Sequence, residues 1–209
     1  RQKNFKNLIV GEHISRYSLS SDLWLNTSKK GIKYKNDSIY EGDKLVVRKT
    51  GIGVSASIDY KQYMTNQVVY IFKPRNDREL KFSLEFFLLV LSSRVAFFFI
   101  AMSSGEIEWK SHPYVTQKQI LDFPIPKFEE ITGSQKQRIT ELSVKMKHLL
   151  KDGKNISRRL DAEIELLVAN LYSLDSEDYQ SIYQALNKSQ DLIPVKALKN
   201  ISVTDIFNK

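Results

Sequence analysis

Residues 40–70 read YEGDKLVVRKTGIGVSASIDYKQYMTNQVVY. Gly42-Asp43 is turn-like, and Leu45-Val46-Val47 is a short β-rich run. Ser55–Ile58 is mixed. Gln67–Phe72 (QVVYIF) reads as a strand that Pro74 to Asp77 ends. Between these strand-like runs, Arg48, Lys49 and Thr50 stand beside Gly51-Ile52-Gly53. Glycine permits positive φ and close backbone approach. The amides of such a turn can bond phosphate oxygens. Arg48 suits a bidentate contact to phosphate or to guanine O6 and N7, Lys49 a phosphate, and Thr50 a short backbone contact. Gly51-x-Gly53 alone is neither a P-loop nor a dinucleotide fingerprint. The plain alternative is a tight hairpin with solvated charges.

Upstream, Lys29, Lys30, Lys33 and Lys35 form a second basic group. Lys33 and Lys35 share a strand face if Ile32 and Tyr34 alternate with them. Such lysines bind phosphate without sequence choice, or they guard an edge strand against aggregation. Trp24, Tyr34, Tyr40, Tyr60, Tyr63 and Trp109 could stack on bases, although core positions are the commoner use. Asn66 and Gln67 have the chemistry to read adenine. His13, His112 and His148 are too dispersed for a metal site or a triad, and the carboxylates form no spaced catalytic set.

Downstream the period changes. Phe82, Phe86, Leu89, Ser93, Phe97 and Ile100 recur at steps of three or four, which predicts one buried helix over Leu80–Met102. Glu85 and Arg94 interrupt this run, so it reads as core and not as a membrane span. Thr116-x-x-Gln119 is a capping box before a short helical turn that Pro124 stops. Ile139, Leu142, Met146 and Leu149-Leu150 mark one tail helix. Ile156, Leu160, Ile164, Leu167-Val168 and Leu171 mark a second, either folded back on the first or nearly continuous with it. Glu141 and Lys145 form an i,i+4 pair. Asp175-x-x-Asp178 caps a third helix through Leu186, and residues 187–209 read as a loosely structured end from which Val195–Ile206 could pack.

At 209 residues the chain can bury a core without staples. It has no cysteine, which excludes disulfides and thiolate chemistry and suits a reducing interior. Net charge is +8, unevenly placed: residues 1–110 hold 18 Lys/Arg against 11 Asp/Glu, and residues 111–209 hold 14 against 13. A concentrated excess points to a polyanion. No signal peptide is evident. The chain opens at Arg1 and not at Met, which reads as a piece of something longer or a trimmed chain.

GEHISRY at Gly11–Tyr17, KLVVRKTGIG at Lys44–Gly53 and the Gln67–Tyr70 strand are followed by FFLLVLSSRVAFFF at Phe86–Phe99 and ILDFPIPK at Ile120–Lys127. In this order, and with the helices that follow, they resemble the TaqI-like specificity domain found C-terminal to adenine-N6 DNA methyltransferases, often in fused type IIG restriction enzymes of bacteria. The resemblance spans roughly residues 8–178. It implies a target-recognition domain in the major groove of double-stranded DNA, related to those of type I specificity subunits. It also implies a cytoplasmic, bacterial setting and a methyltransferase domain or subunit that flips an adenine and methylates it with S-adenosylmethionine. That family's N/D-P-P-Y/F/W motif is not matched by His112-Pro113-Tyr114, so no catalytic residue and no cofactor site is expected in this chain.

The expected architecture is α+β. A mixed or antiparallel β-rich lobe with a buried helix precedes a C-terminal helical region, with a DNA target-recognition domain at 1–130 and a helical spacer or docking region at 131–209. The expected DNA-binding residues are Lys29, Lys30, Lys33, Lys35, Arg48, Lys49, Thr50, Gly51 and Gly53. No membrane partner is expected, and the oligomeric state stays open. A protein-interaction module that uses its apolar tail, or a free-standing enzyme on nucleic acid, are the competing classes.

Overall fold

A computed structural model describes residues 4–31, 36–75, 81–103, 114–189 and 193–208. Among the described residues eight strands come first: β1 (Phe5–Ile9), β2 (Ile14–Ser15), β3 (Ser18–Leu19), β4 (Trp24–Asn26), β5 (Lys44–Arg48), β6 (Ala56–Asp59), β7 (Met64–Thr65) and β8 (Val69–Phe72). Eight α-helices follow among the described residues: α1 (Leu84–Leu91), α2 (Arg94–Ser103), α3 (Gln117–Asp122), α4 (Gly133–Lys151), α5 (Arg158–Leu171), α6 (Ser176–Lys188), α7 (Ile193–Leu198) and α8 (Val203–Phe207). The α+β architecture with a helical C-terminal region is therefore as expected.

The central sheet has the order β6-β5-β8, antiparallel throughout, with Val47 opposite Ala56 and Tyr70. The sheet β4-β1-β7 is mixed, since β1 pairs antiparallel with β4 and parallel with β7. Side chains alternate along β5. Leu45 and Val47 join Ala56, Ile58, Phe86, Leu88 and Leu89 in the main core. Val46 faces the other way, onto Ile9, Ile14, Tyr63 and Val69. A strand covered on both faces needs an unbroken apolar run, and this is why KLVVR shows no alternation of polar and apolar residues. Lys44 is itself buried. Its Nζ lies 2.6 Å from Asp59 Oδ2 and donates to the Tyr40 carbonyl at 2.7 Å. Asp59 also accepts the Lys61 and Tyr63 amides, both at 2.8 Å.

The single helix expected over Leu80–Met102 is corrected to two, bent by 62° at Ser92-Ser93. Ser93 Oγ donates to the Val90 carbonyl at 2.7 Å and accepts the Ala96 amide at 3.1 Å, closing α1 and opening α2. The Arg94 amide leaves the helical ladder for the Glu165 carboxylate at 3.1 Å. Hydroxyls that compete for backbone groups end helices in this way. Among the described residues no single helix is long and apolar enough to cross a membrane.

Tail helices α4 and α5 fold back on one another, bridged by Arg138 and Glu163 at 2.8 Å. The expected Glu141–Lys145 pair acts only through space, without a close ion contact. Glu141 takes Arg138 at 3.1 Å, and Lys145 turns to Glu163 at 3.4 Å, because α5 brings a carboxylate that local sequence does not announce. The capping boxes at Thr116/Gln119 and Asp175/Asp178 both form. The loose end expected at 187–209 is corrected to helix where residues are described, and the packing expected of Val195–Ile206 is observed. Helix α6 runs to Lys188, and α7 and α8 bury Val195, Leu198 and Ile206. Each of these two is under eight residues, too short for a helical period to show.

The helical region and the β-rich part share one core, in which Leu142, Met146, Leu160 and Ile164 pack with Tyr17, Leu45 and Phe86. Four buried charges sit at that junction. Arg16 Nη2 is 2.6 Å from Asp161 Oδ1, and Arg94 Nη1 is 2.9 Å from Glu165 Oε1. Longer contacts of 3.3 Å cross from Arg16 to Glu165 and from Arg94 to Asp161. Arg94 also donates to the Leu198 carbonyl at 2.7 Å and to Asn200 at 2.8 Å, and Tyr179 donates to Glu165 at 3.1 Å. Burial favours a neutral Asp161, but the two guanidinium groups outweigh it and hold the carboxyl below its usual range.

Candidate nucleic-acid interface

The Arg48 end of β5 carries the candidate site. Arg48 N bonds Ser55 O at 2.9 Å, the last rung before the hairpin turn. The arm of Arg48 lies across Gly11, where an added Cβ would come within 3.4 Å of Arg48 Cγ and 3.2 Å of Val68 Cγ2. Arg48 Nε donates to Thr50 Oγ1 at 2.6 Å. A guanidinium has five N–H donors, so this bond fixes the fork and leaves the two terminal amino groups to meet an acceptor.

Lys49 is held by its backbone on both sides. Its amide donates to Val68 O at 3.0 Å, and its carbonyl accepts Val115 N at 2.8 Å. Its ammonium lies 4.6 Å from the centre of the Tyr70 ring. Thr50 is exposed and pairs antiparallel with Tyr114, which is 59% exposed. In the neighbouring turn Asn66 Oδ1 accepts the Val68 amide at 3.2 Å, so Asn66 builds the turn, and Gln67 stands exposed on it. Three chain segments thus meet at one rim of the sheet: Arg48 lies over Gly11 on one face and Lys49 over Tyr70 on the other, and Thr50, Gln67 and Tyr114 stand exposed along the edge. Such a set can bond phosphates and base edges and stack on a base.

The glycine turn behind this rim is closed on its inner side. Gly51 has φ +119°, and a Cβ there would meet Pro194 Cγ at 2.9 Å. Gly53 has φ +81°, and a Cβ would meet Phe97 Cδ2 at 3.0 Å. Ile52 is buried with Phe97, Leu186 and Val195. Gly53, one of the expected DNA-binding residues, is buried and seats the turn on α2. Gly51 is half-buried beside Thr50.

Lys29 and Lys30 are exposed in the turn after β4. That turn is tied to the start of β1 by Thr27 N to Asn4 O at 2.8 Å, whereas Arg48 lies over Gly11, past its end. Seven residues of extended chain separate the two ends by on the order of 20 Å. Arg48, Lys49, Thr50 and Gly51 are gathered together, and Lys29 and Lys30 are not with them. Lys33 and Lys35 lie outside the described residues, as do Tyr34, Trp109, His112 and Pro113. Tyr40 and Tyr63 are core, while Trp24 is exposed. Tyr114 is the member of the rim that sequence reading passed over. It reaches Thr50 by one non-local bridge, which no short-range pattern encodes.

The profile of one family, the TaqI-like C-terminal specificity domain, matches residues 6–125. That is more than half of the chain. The chain belongs to this family. No curated protein matches it. The specificity-domain match runs from Lys6 in β1 through α3, takes in every member of the rim, and stops at Ile125 within FPIP. The resemblance read over residues 8–178 therefore extends further into the helical tail than the family match does.

Proposed function

We propose that this chain is the double-stranded DNA target-recognition module of a restriction–modification adenine-N6 methyltransferase. Membership of the TaqI-like specificity family is the observation that carries this reading. The rim agrees with it chemically: Arg48 is pre-aimed by Thr50 for a bidentate acceptor, Gln67 offers an amide of the kind that pairs with adenine, and Lys49 offers a phosphate contact. Lys29 and Lys30 add sequence-independent phosphate contacts at a distance. Residues 1–130 bear the recognition surface, and residues 131–209 brace it and dock it on the catalytic domain. Methyl transfer with S-adenosylmethionine belongs to a linked or partner domain that extrudes the adenine. The competing interaction-module reading draws on the apolar stripe of the tail, and in this chain that stripe is spent within its own core.

Selection of bound sites from a random-sequence duplex pool, repeated at several salt concentrations, tests the proposal. One enriched motif is the expected result, and Arg48→Ala should weaken binding and degrade the motif at one position. Binding that stays indifferent to sequence at every salt concentration overturns it.

A further inference from the structure

Helix α4 carries two sets of cations with opposite fates. Arg138 and Lys145 sit on one side and are neutralised by Glu141 and Glu163. Lys136, Lys147 and Lys151 fall within about 60° of one another on the other side, at 100° per residue. Their ammonium groups have no carboxylate in hydrogen-bond reach among the described residues. Lys136 Nζ is 4.2 Å from the Phe128 ring centre, and Lys151 Nζ is 5.1 Å from that of Tyr60. Lys147 Nζ stays 3.9 Å from Glu85, whose nearer donor is the Tyr60 hydroxyl at 2.6 Å.

Two depressions lie under this row. One of about 410 Å³ is lined by Lys136, Lys147 and Ser143, the other of about 380 Å³ by Lys151 and Ser57. Ser57 and Ser143 are both buried, and the hydroxyl of each has no hydrogen-bond partner. Buried hydroxyls are ordinarily satisfied. Here each orphan lines a hollow in which lysines outnumber carboxylates, with Lys81, Lys136 and Lys147 around Glu85 in one and Lys61, Lys151 and Lys154 around Asp59 in the other, a setting that suits an acceptor-rich anion. From Lys136 to Lys151 the row is about 22 Å long at 1.5 Å per residue, which matches about six base pairs at 3.4 Å per step of one strand.

We infer that the Lys136–Lys147–Lys151 face of α4 is a second DNA-backbone surface, which takes a run of phosphates beside the site read by the Arg48 rim. This inference rests on the DNA-recognition reading above. It gives α4 a part in affinity and none in sequence choice.

The test is a salt titration of binding to a random-sequence duplex of about two helical turns, each near 10 base pairs. Wild type is compared with the triple variant Lys136→Gln/Lys147→Gln/Lys151→Gln and with the opposite-face variant Arg138→Gln/Lys145→Gln. Each lost phosphate contact removes about 0.9 from the slope of log K against log salt. The triple variant should therefore lose up to about 2.7 from that slope and weaken equally on all sequences, while the opposite-face variant keeps the wild-type slope. Lysine acetylation of the wild-type chain with and without duplex gives a readout that needs no variant to fold, and Lys136, Lys147 and Lys151 should be protected. An unchanged slope, or acetylation of these lysines while Lys49 is protected, overturns the α4 surface alone. A wild-type chain that binds no duplex at low salt overturns the DNA-recognition reading and this inference with it.

Discussion

Arg94 meets one carboxylate, that of Glu165, twice: its guanidinium at 2.9 Å and its own backbone amide at 3.1 Å. The same residue thus opens α2 and pins α5. Removing one member of a buried ion pair strands its partner and costs about 3–5 kcal/mol. Glu165→Gln should lower the unfolding free energy by that amount in urea titration, with the slope m unchanged. A loss below about 1 kcal/mol, the range of exposed pairs, would mean that the cluster does not hold the junction.

Acid should act through Asp161. Its carboxyl titrates below its ordinary value because Arg16 and Arg94 outweigh the opposing effect of burial. A group with a depressed folded pKa contributes stability that is complete above the unfolded value of about 3.9 and is lost as pH falls through the folded one. Stability should decline below about pH 4, and Asp161→Asn should flatten that limb in melting temperatures followed against pH. At the alkaline end the Tyr183 phenol, which donates to Ile201 O at 2.6 Å, is pushed up to about 12 by burial. The unfolded chain releases that proton first, near pH 10, so stability should fall again above that pH.

Gly53→Ala should be destabilising by about 1–3 kcal/mol, since φ +81° and the Phe97 ring at 3.0 Å both oppose a side chain. Thr50→Ala, at the exposed edge of the same turn, should stay within about 0.5 kcal/mol. Chemical denaturation of the two variants side by side separates the packed side of the turn from its outer side.

Gln67→Ala should leave stability within about 0.5 kcal/mol, because the side chain is exposed on a turn that Asn66 builds. In duplex binding it should lose about 1–3 kcal/mol of discrimination at one base pair. An unchanged base preference in competition assays would remove Gln67 from the reading set.

Much of this fold was legible in the sequence because its signals are local. The Lys44–Val47 run, the two capping boxes and the 3.6-residue period of α4 and α5 each lie within a few residues of the element that they announce. The break at Ser92-Ser93 was hidden because apolar periodicity continues straight across it. What ends α1 is the Ser93 hydroxyl, with a carboxylate from α5, far along the chain, taking the first amide of α2. The charge network was hidden for the same reason: Arg16, Arg94, Asp161 and Glu165 look like ordinary surface charges until the chain is folded. At the rim, the cations were readable from composition beside the glycines. That Gly53 is sealed and that Tyr114 joins Thr50 depends on α2 and on a distant bridge.

The four-charge junction also bears on how this chain can be divided. Excision at Ile125, where family likeness stops, would strip both arginines of their counter-ions and open the main core along α1. Recognition and bracing segments should therefore melt in one step. Grafting the recognition surface onto a foreign scaffold would need α5, and the carbonyl of Leu198, to travel with it.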